Sequence, residues 1–462
     1  MAAILSFLPY VILAAAACLA VSLSPALGTA VAGVLIVGAF VFGRKPFWIL
    51  LLIIGLVPVD SISKFGGMLS LTKLIFPPLL ALAIWRRVIN RESLWIRQPQ
   101  RTAVLVFLFA ILLSFVMADS REYALLSLKK YASLLMLYWA GLLVISRVRD
   151  ISHLLYVIIL TCAISSAVGL LGIIAGVDTG FAQQWEGVER AGGMSSEDPN
   201  TFAMHVLVAF FMAASLLMSL KSVVARGLLA VCILIYSLNL VFSFSRSSLI
   251  ALAVGMAYFT WSRRREIRWK WVLPMVVVVG ICSAPFIPRK YYERIATLEN
   301  ITTSQDGSFK RRIAYHIMGF DLISRSPVWG VGPGNFSYHF KSQVYRYTAD
   351  TFGEARRLHN MFLSIGSELG LFGLACFLAI LVASFRLANG IIRRAREAGM
   401  AEHGRNAQAL KYALFTFLAG SFFLPAEYSK YLWIILASLS RLDEILEMDI
   451  ASAPPQPVRM EA

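Results

Sequence analysis

The stretch RVRDISHLLYVIILTCAISSAVGLLGIIAGVD, residues 147–178, decides the fold. Arg147 and Arg149 stand at its head, and the apolar and small residues that follow outrun the about 20 needed to carry an α-helix across bilayer hydrocarbon. Runs of this kind recur along nearly the whole chain of 462 residues, which is 58% hydrophobic and only 15% charged, with a mean hydropathy of +0.71. A water-soluble domain is nearer ~45–50% apolar. The bilayer is therefore the solvent, and each span has to satisfy its backbone polar groups within its own helix.

In a soluble protein the net charge of +17 would suggest nucleic acid binding. Here the placement of the cations reads as topology instead, and no nucleic acid partner is expected. Clusters fall at Arg44-Lys45, Arg86 to Arg101, Arg147 to Arg149, Lys221 to Arg226, Arg263 to Lys270 and Arg386 to Lys411, each separated from the next by an apolar hairpin. By the positive-inside rule these loops are cytoplasmic, which puts both termini inside. The expected fold is an all-α integral membrane protein of about 12–14 transmembrane helices; the lower count applies if the segments near Leu50 and Phe417 are half-spans. Met1-Ala2-Ala3-Ile4 lacks a positive n-region and reads as the start of a first transmembrane helix. The cysteines, Cys18, Cys162, Cys232, Cys282 and Cys376, are scattered through apolar spans without a CxxC pair, so neither disulfides nor a zinc site is expected.

Two long polar stretches fall on the outer side, Val177 to Asn200 and Pro288 to Leu358. Loops of the second one's length usually have a task. Within it Phe309, Ile313, Ile317 and Phe320 recur at helical spacing after Ser308, a suitable N-cap, which predicts an amphipathic helix lying against something apolar. Arg312 borders that stripe and Arg311 points away from it. The following segment, Ser326-Pro327-Val328-Trp329-Gly330-Val331-Gly332-Pro333-Gly334-Asn335-Phe336, reads as glycine-rich punctuation.

Polar residues at predicted outer helix ends are the candidates for chemistry. Arg246 is the only charge between two apolar spans, where snorkelling to lipid phosphate is the alternative. His359 opens the span after the long loop, and the positive end of the helix dipole with Arg356 and Arg357 nearby favours neutral imidazole, the form that accepts a proton. Among the other histidines His316 is the main rival, one turn after Arg312 on the same face. Asp198-Pro199-Asn200 reads as an N-cap with proline at N1. Glu368 lies nine residues beyond His359, about 14 Å deeper on a continuous helix and on its opposite face, which suits interhelical hydrogen bonding better than contact with that histidine.

In order, Asp198-Pro199-Asn200, Ser245-Arg246-Ser247, Arg312 three residues before Tyr315, Ser326-Pro327 leading to Gly330 through Phe336, and His359-Asn360 with Glu368-Leu369-Gly370 resemble the O-antigen ligase and Wzy-type polymerase superfamily. The likeness covers about Gly193 to Phe385. It implies a GT-C-like helical fold in the bacterial inner membrane and transfer of a saccharide from undecaprenyl pyrophosphate to a glycan hydroxyl at the periplasmic face. That transfer would be inverting, with no metal and no cofactor. By the same resemblance His359 is the catalytic histidine and Arg246 and Arg312 hold the pyrophosphate, with Arg311 adjacent enough to leave the register open by one. Asn360, Asn200, Tyr315, His316 and Glu368 are supporting candidates. Tyr315 stands where the family often has tryptophan. The implied partners are the lipid-linked donor, a glycan or lipid A-core acceptor, the bilayer, and a chain-length regulator as a candidate.

The expected division of the chain is 1–190 as N-terminal transmembrane helices, 191–446 as the ligase- or polymerase-like region with its periplasmic loop 288–358, and 447–462 as a short disordered cytoplasmic tail. A flippase of lipid-linked oligosaccharides is the leading alternative, but it would put its ionisable groups near the midplane on repeated broken helices. A peptidoglycan glycosyltransferase of the shape, elongation and division class fits the ordered motifs poorly. Polymerase and ligase share donor and chemistry and differ in acceptor; the reading leans to polymerisation of O-antigen or exopolysaccharide.

Overall fold

A computed structural model describes residues 46–59, 64–65, 69–96, 99–175, 182–185, 188–193, 198–266, 307–341 and 356–453. The expected first span, Arg44-Lys45, Cys18, Cys282 and most of the tail lie outside the described residues, as do the side chains of Ser308, Phe309 and Arg311.

The described residues are dominated by thirteen α-helices. They are α1 (Pro46–Gly55), α2 (Leu71–Ile89), α3 (Arg101–Val116), α4 (Arg121–Val144), α5 (Val148–Ala175), α6 (Pro199–Ser219), α7 (Val223–Phe242), α8 (Arg246–Ser262), α9 (Gly307–Arg325), α10 (Asn335–Phe340), α11 (Met361–Glu397), α12 (Ala401–Ser421) and α13 (Lys430–Ser452). Among the described residues α5, α6, α7 and α11 are long and apolar enough to cross a membrane. The protein is an all-α membrane protein. Two short antiparallel hairpins interrupt the helical pattern, β1 (Lys64–Phe65) with β2 (Leu69–Ser70) and β3 (Ala182–Trp185) with β4 (Val188–Ala191).

Helix α13 forms the centre. From Tyr431 to Asp443 every residue is buried, as expected for a helix enclosed on all sides. Trp433 packs between Phe107 of α3 and Tyr138 of α4, with ring centroids 6.3 and 6.1 Å away. Buried Gln100 ties three elements together, donating to Ser384 Oγ of α11 (2.8 Å) and accepting from Ser440 Oγ of α13 (3.2 Å). Such polar links hold helices together where apolar contact alone gives little preference for one neighbour over lipid.

Helix α11 is not continuous. Gly370 has φ 73° and ψ 177°, which breaks the hydrogen-bond ladder and divides the element into a short first half and a long second one. The glycine-rich segment closes the gap with its own backbone. Val331 N–H donates to Ser367 O and Gly332 N–H to Glu368 O, both at 3.0 Å. In return Leu371 N–H donates to Pro327 O (2.8 Å) and Phe372 N–H to Val328 O (3.4 Å). Only glycine fits at this crossing: a Cβ on Gly330 would lie 2.4 Å from the Glu368 carbonyl, and one on Gly370 would lie 2.1 Å from Val328 O. The segment expected as punctuation is thus a backbone plug, because helix α11 leaves orphan groups that must be met in a low-dielectric interior.

Helix α9 forms where its periodicity places it, but the expected apolar stripe is not its protein-facing side. Tyr315, Met318 and Leu322 are buried against Val331, Phe336, Phe340, Leu358 and Leu363. Ile313, Ile317 and Phe320 are exposed. The helix carries two apolar stripes side by side, and packing onto the glycine-rich segment selects the one containing Tyr315.

Candidate active site

Helices α6, α8 and α11 begin at the same end of the bundle, and that end collects the candidate residues. Asp198 caps α6 and accepts from Asn200 N–H (3.3 Å), with Pro199 at the first helical position. The Asn200 side-chain amide donates to both Asp198 carboxylate oxygens, at 2.9 and 3.1 Å, while its own oxygen accepts from Arg190 (2.9 Å). Arg190, buried on β4, also donates through Nε to Ser243 O (2.8 Å). It therefore joins the hairpin, the start of α6 and the turn leading into α8. That turn is strained, since Phe244 adopts φ 50°, which costs a non-glycine residue about 1 kcal/mol or more. It ends in Ser245, whose Oγ caps α8 at Ser248 N–H (3.3 Å), and delivers half-buried Arg246 as the first helical residue.

The second group surrounds His359. Asn360 caps α11, accepting from Leu363 N–H at 3.1 Å, and so fixes the backbone on which His359 sits. The imidazole stacks on buried Tyr315 with the rings 12° from parallel and 5.9 Å apart. Its Nδ1 is buried and makes no hydrogen bond among the described residues. Burial lowers its pKa to about 4, helped by the positive charges of Arg312, Arg356 and Arg357 and opposed by Asp198. The ring is therefore neutral at physiological pH. Asp198 bonds Asn200 and also acts on His359, so it links the two groups.

His316 is engaged differently. Its Nδ1 lies 2.6 Å from the Arg312 carbonyl, so the N–H sits on Nδ1 and donates there. Glu368 does not approach His359. Its carboxylate accepts from Gly334 N–H (2.7 Å) and Phe336 N–H at the start of α10. Asn335 completes the anchorage, accepting from Ser120 N–H (2.8 Å) and donating to Ser120 O (3.2 Å) in the turn between α3 and α4. Of the two loop arginines, Arg312 is half-buried and acts on His359, whereas the Arg311 side chain lies outside the described residues.

Residues 228–378 match the family model described as O-antigen ligase, Wzy_C. That stretch, about a third of the chain, is similar to the O-antigen ligase family. It runs from α7 past the break in α11 and includes Arg246, Arg312, Tyr315, His359 and Glu368, while Asn200 and Arg190 precede it. Its presence in an all-α membrane protein supports, in general terms, a membrane function of the O-antigen ligase or polymerase type and an activity of the glycosyltransferase class. No curated protein matches the chain.

Arg190 was not among the candidates from sequence, although one signal was available: it is the only basic residue between Val177 and Asn200. A cavity of about 380 Å³ that reaches Arg357, two residues before His359, was also not foreseen. It is lined by Lys130, Asp198, Arg357 and Lys430 among others.

Proposed function

We propose that the protein is an inner-membrane glycosyltransferase that moves a saccharide from undecaprenyl pyrophosphate to a glycan hydroxyl at the periplasmic face, inverting the anomeric centre without a metal. The observation that carries this reading is His359: a neutral imidazole with an unpartnered buried Nδ1, beside Arg312, within the stretch similar to the O-antigen ligase family. In this mechanism His359 takes the proton of the acceptor hydroxyl as its oxygen attacks the anomeric carbon. The bond from that carbon to the pyrophosphate oxygen breaks, and the negative charge that develops is neutralised by Arg312 and Arg246. Arginine stays charged and grips phosphate oxygens with two parallel hydrogen bonds, so a pair can take the place of a divalent cation. The stacked Tyr315 and the Asn360 cap hold the base in place, and Arg190 with Asn200 holds the turn that presents Arg246.

Purified protein should transfer glycan from an undecaprenyl-pyrophosphate donor in EDTA. Loss of activity that magnesium or manganese restores would overturn the assignment of charge neutralisation to the arginines. Given donor alone, a polymerase yields a ladder of lengthening chains on a gel, which is the outcome favoured here; a ligase leaves the donor unchanged until lipid A-core or an equivalent acceptor is added.

The two loop arginines should differ. Arg312→Ala is expected to lower transfer by about 10² to 10³, the scale of losing one preorganised charge-stabilising donor, and Arg311→Ala by far less. The reverse order in a single-turnover assay would move the phosphate contact to Arg311.

A further inference from the structure

The cavity that reaches Arg357 is a different environment from the one around Arg246 and Arg312. Its size is that of a small-ligand site, and its floor is apolar, formed by residues including Phe76, Leu134, Met204 and Phe417. One wall comes from the connection between α12 and α13, Leu424, Pro425, Ala426, Tyr428 and Ser429, together with Lys430 at the start of α13. Lys130 Nζ and Arg357 Cζ lie 5.1 and 5.6 Å from the ring of Tyr428, which brings both cations to one aromatic side chain on the cavity wall. Lys430 Nζ lies 5.9 Å from the ring of Phe76. Against these three cations the lining holds one carboxylate, Asp198, and counting Glu427 behind the wall still leaves an excess of positive charge.

Orphaned polar atoms mark the same wall. Glu427, behind the wall, is 3% exposed; it accepts from Ser364 Oγ (3.4 Å) and from its own backbone N–H and feels Arg357 and Lys130, while its Oε2 makes no hydrogen bond among the described residues. Ser429 Oγ, on the lining, is likewise buried and without a partner. A buried polar oxygen left unpaired is expensive, and the Ser429 hydroxyl on the lining can both donate to and accept from a ligand hydroxyl. A sugar hydroxyl fits that requirement. The cavity adjoins the base as well, since Arg357 is two residues from His359, and Asp198, on the lining, acts on His359 electrostatically.

We infer that this cavity is the acceptor subsite and that it takes an acidic saccharide: Lys130, Arg357 and Lys430 hold a carboxylate or phosphate substituent, while Ser429 engages a ring hydroxyl. The inference rests on the transferase reading, and it adds the class of acceptor. Donor pyrophosphate and acceptor anion then meet different cations, Arg246 and Arg312 for the donor and Lys130, Arg357 and Lys430 for the acceptor.

The test uses full-length protein in nanodiscs, titrated with trigalacturonate, with a trisaccharide phosphate and with neutral trigalactose. The acidic probes should bind at least about tenfold more tightly than the neutral one, the scale of a charge-assisted hydrogen bond, and the stronger of the two identifies the substituent. Lys130→Gln combined with Lys430→Gln should abolish that preference, while His359→Ala should keep it. Equal binding of acidic and neutral probes, or a preference that survives the double variant, would overturn the subsite. A double variant that weakens binding of undecaprenyl phosphate but not of the acidic trisaccharides would give the cavity to the donor and also overturn it. If the acidic preference is found but wild-type protein forms no glycosidic bond from lipid-linked donor, the transferase reading fails and the anion site stands. If transfer proceeds and the preference is absent, the subsite alone is lost.

Discussion

His359→Ala is expected to lower glycan transfer by about 10² to 10⁴, the usual contribution of a positioned general base, with protein level and membrane insertion unchanged. The same substitution at His316 should be far milder, because that imidazole already spends its Nδ1–H on the Arg312 carbonyl. The pH profile separates His359 from an ordinary surface histidine. Its pKa in the folded protein is lowered to about 4 from 6.5, and only the neutral ring accepts a proton. The base is therefore available at all pH values above the lowered pKa, so kcat/KM should stay flat from pH 8 to about 5 and fall only towards 4. The sign carries over to stability. Between the two values the unfolded chain binds the proton that the folded one refuses, so this group costs no stability above 6.5 and destabilises the fold progressively as pH falls towards 4. A profile that instead breaks near 6.5 in the wild type would overturn the assignment of the base to His359.

The other large effect concerns the interrupted helix. Gly370→Ala should destabilise the protein by about 2–5 kcal/mol, combining a left-handed backbone that side chains resist with a clash that cannot be relieved by a rotamer change. The atom in the way, Val328 O at 2.1 Å, belongs to backbone that is itself hydrogen-bonded across the gap. Gly390, in the same α11, is the control. A Cβ there meets nothing within 4 Å, so Gly390→Ala should be neutral or stabilise by up to about 1 kcal/mol through helix propensity. Thermal unfolding of both variants in detergent tests this. Equal melting temperatures would mean that the break at Gly370 contributes little to holding the fold.

The membrane class was legible because a bilayer imposes length and hydropathy on each span, and those are properties of local sequence. His359 and Arg246 were legible as candidates for a related reason: a polar group at the edge of an apolar run stands out. The break in α11 was not. Ser367-Glu368-Leu369-Gly370-Leu371 reads as ordinary apolar helix, and what interrupts it is a set of backbone partners some 40 residues earlier that no local pattern reveals. Helix α9 shows the limit of periodicity itself. Ile313, Ile317 and Phe320 are as regular as Tyr315, Met318 and Leu322, and only the tertiary partner decides which set is buried. The cavity lined by Lys130, Asp198 and Arg357 draws on α2, α4, α6, the segment before α11 and the connection between α12 and α13, so it exists only once distant segments meet.

The plug at the break also bears on biogenesis. A helix with unmet carbonyls and amides is a poor passenger in lipid, and it would tend to stall or misassemble if it had to wait for its complement. Here the order of synthesis removes the wait, since residues 326–332 leave the ribosome before α11 does. The complement is already made when the gap emerges, and the second half of α11 can settle against it as it is threaded into the membrane.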